Sequence, residues 1–155
     1  MDASVARAIA HAAHGQERDR RGQLVTAHLE RVASMGPSEV WALAFLHEIA
    51  ERTDVSYERL RAAGLTDAEA EGLALLTKTD GESYELYALR IAHAPGVAGR
   101  MARAVKPAEL DDDLSCAAAT RDLSAPPYAW ARRHIANAQL RRGEMEQDAR
   151  SQQAG

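Results

Sequence analysis

The chain contains a single cysteine, Cys116, which excludes an intramolecular disulfide and a cysteine-based zinc site. A reducing, cytoplasmic setting is the expectation that follows. Aromatic residues amount to only 5% of the sequence, and the bulk is Ala, Leu, Arg and Glu, a mix that favours helix. Net positive charge is lacking too: the formal charge is -4, so nucleic acid is not expected as a bulk electrostatic partner. Locally clustered basic residues would still suit a charged phosphate ligand. No window approaches the roughly 20 apolar residues of a membrane span. The N-terminal stretch has no basic region followed by an apolar run, so neither a membrane segment nor a leader is expected. A glycine-rich phosphate loop, an internal repeat and sustained strand alternation are all missing.

What is present is helical periodicity. A length of 155 residues suits one domain with one core. Val5, Ala8, Ile9 and Ala12 form an apolar stripe on a first helix that Gly15 ends. A charged loop over 16–23, with Arg18, Arg20 and Arg21, reads either as solvated surface or as a phosphate-facing loop. Leu24 to Ser34 is helical and carries His28. Ser38 is placed to cap the next helix, which runs to about Arg52 on a stripe of Val40, Leu43, Leu46 and Ile49. Ser56 starts a short helix that Gly64 ends. Thr66-Asp67-Ala68-Glu69 is a capping-box pattern opening another. Glu82 to Ala94 and Val97 to about Leu114 follow, the latter interrupted or kinked near Pro107. Pro126-Pro127 introduces a last helix to about Arg142, docked through Trp130, Ile135 and Leu140. The fold class expected is all-α, a single-domain bundle of irregular helices over 1–142 with a polar tail, 143–155, expected to be disordered. The apolar faces of the first and last helices suit a dimer as well as a core, which leaves a homo-oligomer open.

Chemistry concentrates in the stretch from Leu43 to Val55. Its first half is apolar, and it then sets His47, Glu48, Glu51 and Arg52 within six positions. On a helix, positions one and four from His47 lie on or near its side, so His47, Glu48 and Glu51 can converge on a cleft wall. His28, His47, Glu48 and Glu109 come from three separate helices. Two imidazoles and two carboxylates suit manganese, iron, zinc or magnesium better than copper or a thiolate-bound metal. A water on such an ion would have a lowered pKa and could attack phosphorus or a carbonyl. His47-Glu48-Ile49-Ala50-Glu51 also invites comparison with the zinc-peptidase pattern H-E-x-x-H. That chemistry needs a second His where Glu51 stands, which argues against a peptidase.

Five segments in order resemble the HD-domain phosphohydrolases, in particular (p)ppGpp hydrolases and their small stand-alone relatives. They are Gly15-Gln16 with the Arg-rich loop, Gly22 to His28, Leu46 to Val55, Leu76-Thr77-Lys78 with Glu82 to Tyr87 and Arg90, and Val105 to Leu110. The second resembles "G-E-P-Y-I-x-H-P", the third "L-H-D-x-x-E-D-T-D-V" and the last "V-K-L-A-D-L". The resemblance spans roughly residues 5 to 115. It implies an HD-type helical domain and one divalent metal ion, commonly manganese, held by His28, His47, Glu48 and Glu109. It further implies a water-activating pair at Glu51 and Arg52, and phosphate contacts from Arg18, Arg20, Lys78 or Arg90. The substrate implied is a small-molecule phosphate ester or nucleotide.

The chain departs from the family pattern at several of these positions. Both metal-binding Asp positions carry Glu, whose extra methylene displaces the carboxylate by about 1 Å, comparable with the tolerance of a metal site. Arg52 stands where the second acid of the water-activating pair belongs, and a guanidinium cannot accept a proton. Two functions therefore compete at the level of sequence. One is a metal-dependent phosphohydrolase. The other is a degenerate HD domain that binds a ligand or partner without hydrolysis.

Overall fold

Helix starts follow local chemistry along much of the chain. The computed structural model describes residues 1–121 and 126–153, with side chains as far as Gly143. Asp2 caps α1 (Ala3–His14), its carboxylate accepting from the Ser4 and Val5 amides. After α2 (Val25–Met35), a 3-10 turn at Ser38–Val40 leads into α3 (Trp41–Leu46) and the single turn α4 (Ile49–Arg52). The Ser56 hydroxyl caps α5 (Tyr57–Ala62). A reciprocal capping box between Thr66 and Glu69 opens α6 (Asp67–Leu76). Ser83 caps α7 (Tyr84–His93), and the long α8 (Gly96–Thr120) and α9 (Tyr128–Gln153) complete the chain.

The architecture is all-helical, with no strand among the described residues and only an isolated bridge between Arg18 and Leu24. The amphipathic helices bury one face each around a common core, with α8 as its spine, packed against α2, α6, α7 and α9, while α1 and α2 both lie on α3. Leu29, Leu43, Leu46, Ile49, Leu73, Ile91, Leu110 and Ile135 are fully buried. Each such side chain stabilises the fold by about 1.5–3 kcal/mol relative to exposure. Among the described residues no helix is long and apolar enough to cross a membrane.

Several sequence expectations are corrected. The helix expected from Ser38 to Arg52 is broken at His47-Glu48, between α3 and α4. The His47 ring takes part in that break: its Nδ1–H donates to the Ala44 carbonyl at 2.7 Å, an acceptor left over at the end of α3. Apolar periodicity runs straight through the break and does not register it. Ser38 caps nothing; Pro37 precedes the 3-10 turn without a side-chain bond. On α1 the buried face is Ala6, Ala10 and His14, one position off the expected stripe, and Val5 is exposed. That face packs against α3. α8 is continuous through Pro107, and α9 runs past Arg142. Leu140 is exposed, while Ile135 is buried and Trp130 packs against the core as expected, with Ala131 and Ala138 completing the docked face of the last helix. Of the 143–155 tail expected to fray, the backbone is helical as far as Gln153, and residues 154–155 lie outside the described residues.

Candidate functional site

α2, the α3–α4 turn and α8 bring their polar residues to one wall of a cavity of about 410 Å³. His28 projects from α2, His47 and Glu48 from the turn, and Glu109 from α8, and all four line the cavity. The Nε2 atoms of His28 and His47 are 3.2 Å apart. Glu48 joins them, its carboxylate lying with the two imidazole nitrogens in a group whose members are all within 4.8 Å of one another. Glu48 Oε1 and Glu109 Oε2 each stand 3.8 Å from His47 Nε2.

The hydrogen-bond partners fix the tautomers. A carbonyl can only accept, so His47 Nδ1 carries the proton and its Nε2 lone pair faces the cluster. Burial lowers the His47 pKa, against the raising influence of Glu109 and Glu48, and favours this neutral form. His28 Nδ1 donates to Asp112 Oδ2 at 2.7 Å, so its Nε2 faces the same point. Burial works to lower the His28 pKa, but the Asp112 bond and the charges of Glu109 and Glu48 raise it overall. Two nitrogens at 3.2 Å cannot both hold a proton between them, so the point they share takes one proton or another cation. Asp112 is itself held by a fork from Arg31, Nε to one carboxylate oxygen and Nη2 to the other, and sits well below the usual carboxylate range. Burial raises its pKa, and the His28 and Arg31 bonds outweigh it.

Each carboxylate of the cluster also has an internal cation. Glu48 Oε2 accepts from Arg52 Nε, and Glu109 Oε1 accepts from Lys106 Nζ. Burial would raise the Glu48 pKa, but His47 and Arg52 bring it down to about 2. Lys106 is buried under the Tyr87 ring, 4.7 Å from its centroid. Burial opposes its charge, yet Glu109 and the tyrosines hold its pKa well above the ordinary value. The second oxygen of Glu109, Oε2, is buried without a hydrogen-bond partner.

Of the other residues expected at the site, Glu51, Arg52, Arg20 and Lys78 line the cavity. Glu51 accepts from the Lys78 amide, and desolvation at the cavity wall pushes its carboxyl up. Lys78 Nζ reaches the Glu82 carbonyl at 2.7 Å. Arg18 and Arg90 are not brought into the cavity. Arg18 donates to the Gly22 carbonyl within its own loop. Arg90 forks onto Glu82 and reaches the carbonyls of Ala74, Leu75 and Thr77, tying α7 to the end of α6.

Sequence reasoning assigns neither Lys106 nor Glu17 to the site, takes Asp112 or Asp113 only to cap or stiffen it, and leaves Arg21 in the charged loop. Lys106, Glu109, Asp112 and Asp113 recur at i, i+3, i+6 and i+7 on α8, so helical spacing alone could have placed them on one face. Arg21, which also lines the cavity, reaches Asp113 at 3.2 Å, a contact 92 residues apart that no local signal announces.

The donors suit a divalent cation. Ligands at roughly 2.1 Å from a common ion are about 3.0–3.4 Å apart, which matches the imidazole pair. Glu109 Oε2 is a buried acceptor with nothing to accept from, and a bound cation would satisfy it. No protein-family model matches the sequence, and no curated protein matches it.

Proposed function

We propose that the protein is a metal-dependent phosphohydrolase of the HD type, acting on a nucleotide or a related small phosphate ester. The observation that carries this reading is the convergence of His28 Nε2, His47 Nε2 and the Glu48 carboxylate on one point at a cavity wall. His28, His47, Glu48 and Glu109 would hold one divalent ion, manganese first, with iron, zinc or magnesium as alternatives. Such an ion supplies Lewis acidity for attack of water on phosphorus. Glu51, with its raised pKa, orients that water and takes its proton. Arg20 and Lys78 stand at the wall to meet phosphate oxygens. Arg52 neutralises charge at the rim and takes no proton. A cytoplasmic setting goes with this reading, as does the lone Cys116.

One observation favours a second reading. The Glu48–Arg52 and Glu109–Lys106 pairs already balance both candidate ligand carboxylates, as expected of an HD-like module that binds a phosphate ligand without turnover. Phosphate release from a panel of nucleotides and phosphomonoesters, with Mn, Fe, Zn or Mg, separates the two. Turnover that disappears in His47→Ala is the outcome expected of the hydrolase. Binding of a nucleotide with no turnover under any of the four metals contradicts it.

A further inference from the structure

Arg52 occupies a strategic place in the charge network. Its Nε donates to Glu48 Oε2, and its Nη1 reaches Glu17 Oε1 at 3.2 Å. The other Glu17 oxygen, Oε2, accepts from Nδ1 of the buried His14 at 2.8 Å. One guanidinium therefore bridges a carboxylate of the cation cluster and a carboxylate anchored outside it. Lys106, by contrast, is buried and held at Glu109 from within the same helix. Arg52 is more than a third exposed and has room to let go.

We infer that Arg52 competes with the metal ion for Glu48, and that Glu17 is the seat to which Arg52 withdraws when the ion binds. The inference rests on the metal-site reading above. Glu48 Oε1, 3.8 Å from His47 Nε2, is open to the ion, but Oε2 accepts from the Arg52 guanidinium, so a hold on the ion through both oxygens requires Arg52 to let go. Without Glu17, the displaced guanidinium would lose its remaining counter-charge beside a newly bound cation. His14 fixes Glu17 from the core side, so the seat is preorganised. Glu17 is thus a positioning residue that acts on metal occupancy through Arg52.

A manganese titration of purified protein, following free Mn(II) by electron paramagnetic resonance, tests this with four chains: wild type, Arg52→Met, Glu17→Gln and the double variant. Thermal melts of each confirm folding. Arg52→Met should tighten Mn(II) binding about tenfold, since a competing cation is gone. Glu17→Gln should weaken it several-fold. In the Arg52→Met background the Glu17→Gln effect should disappear, because there is no guanidinium left to seat. A general field effect would instead leave the Glu17→Gln loss intact in that background, and that result overturns the inference. Wild type and Arg52→Met binding equally would also overturn it while leaving the metal site standing. No binding by any of the four folded chains would overturn both.

Discussion

Asp112 and His28 are 84 residues apart in sequence, yet Asp112 Oδ2 accepts from His28 Nδ1 at 2.7 Å. That bond orients the imidazole so that Nε2, and not Nδ1, faces His47. Carboxylate–imidazole pairs of this kind set both the tautomer and the basicity of a metal-binding His. Asp112→Asn should therefore reduce Mn(II) affinity by about 10–100-fold while the chain stays folded. Metal titration beside a thermal melt reads both. Unchanged affinity would mean that Asp112 serves Arg31 alone.

The Ala94 carbonyl, just beyond α7, provides a stability prediction outside the cavity lining. It accepts from Nη1 of the buried Arg103 at 2.6 Å, and Gly99 lies so near that a Cβ there would sit 2.2 Å from the same oxygen. Backbone cannot move aside as a flexible side chain would, so Gly99→Ala should destabilise the fold by about 1–3 kcal/mol. Arg103→Met should cost about 1–3 kcal/mol as well, by stranding the carbonyls that Arg103 serves. Urea unfolding measures both. Because the two substitutions act on one oxygen, the double variant should lose less than their sum.

A pH dependence follows from Glu82. The Arg90 bond, opposed by burial and helped by bonds from Thr79, brings its pKa to about 2 from an ordinary 4.5. The folded state thus binds this proton less readily than the unfolded chain. The stabilisation is complete above about pH 4.5 and is lost as pH falls through about 2. Glu82→Gln should cost about 1 kcal/mol at neutral pH. The difference from wild type should shrink steadily below pH 4.5. Denaturant curves at several pH values check it, and a gap that stays constant in acid would contradict it.

Local signals were legible in the sequence, and contacts across the chain were not. The all-helical class and the caps at Ser56 and Thr66 could be read because each depends on residues within one turn. The break at His47-Glu48 could not be, since it depends on where the His47 ring finds an acceptor while the apolar pattern continues. The register of α1 was misread because Ala6 and Ala10 are buried by proximity to α3, and hydrophobicity alone favours Val5. His28, His47, Glu48 and Glu109 were picked out by a motif resemblance, and the structure sets them on one cavity wall. Arg31 and Glu17 were not assigned, because ion pairs between distant segments leave no periodic trace. Arg18 and Arg90 attracted attention as cations, but their carbonyl and carboxylate partners keep them out of the cavity.

The proposed function stands on His28, His47, Glu48 and Glu109 forming a divalent-cation site. Its most direct test is the metal content and Mn(II) affinity of the wild type beside His47→Ala. Removing one imidazole from a four-donor set takes away both a ligand and the partner that faces His28 at 3.2 Å. The wild type should hold about one ion per chain and the variant none, with both proteins folded. A wild-type chain that binds no divalent metal, or a His47→Ala chain that binds it equally well, would rule this site out.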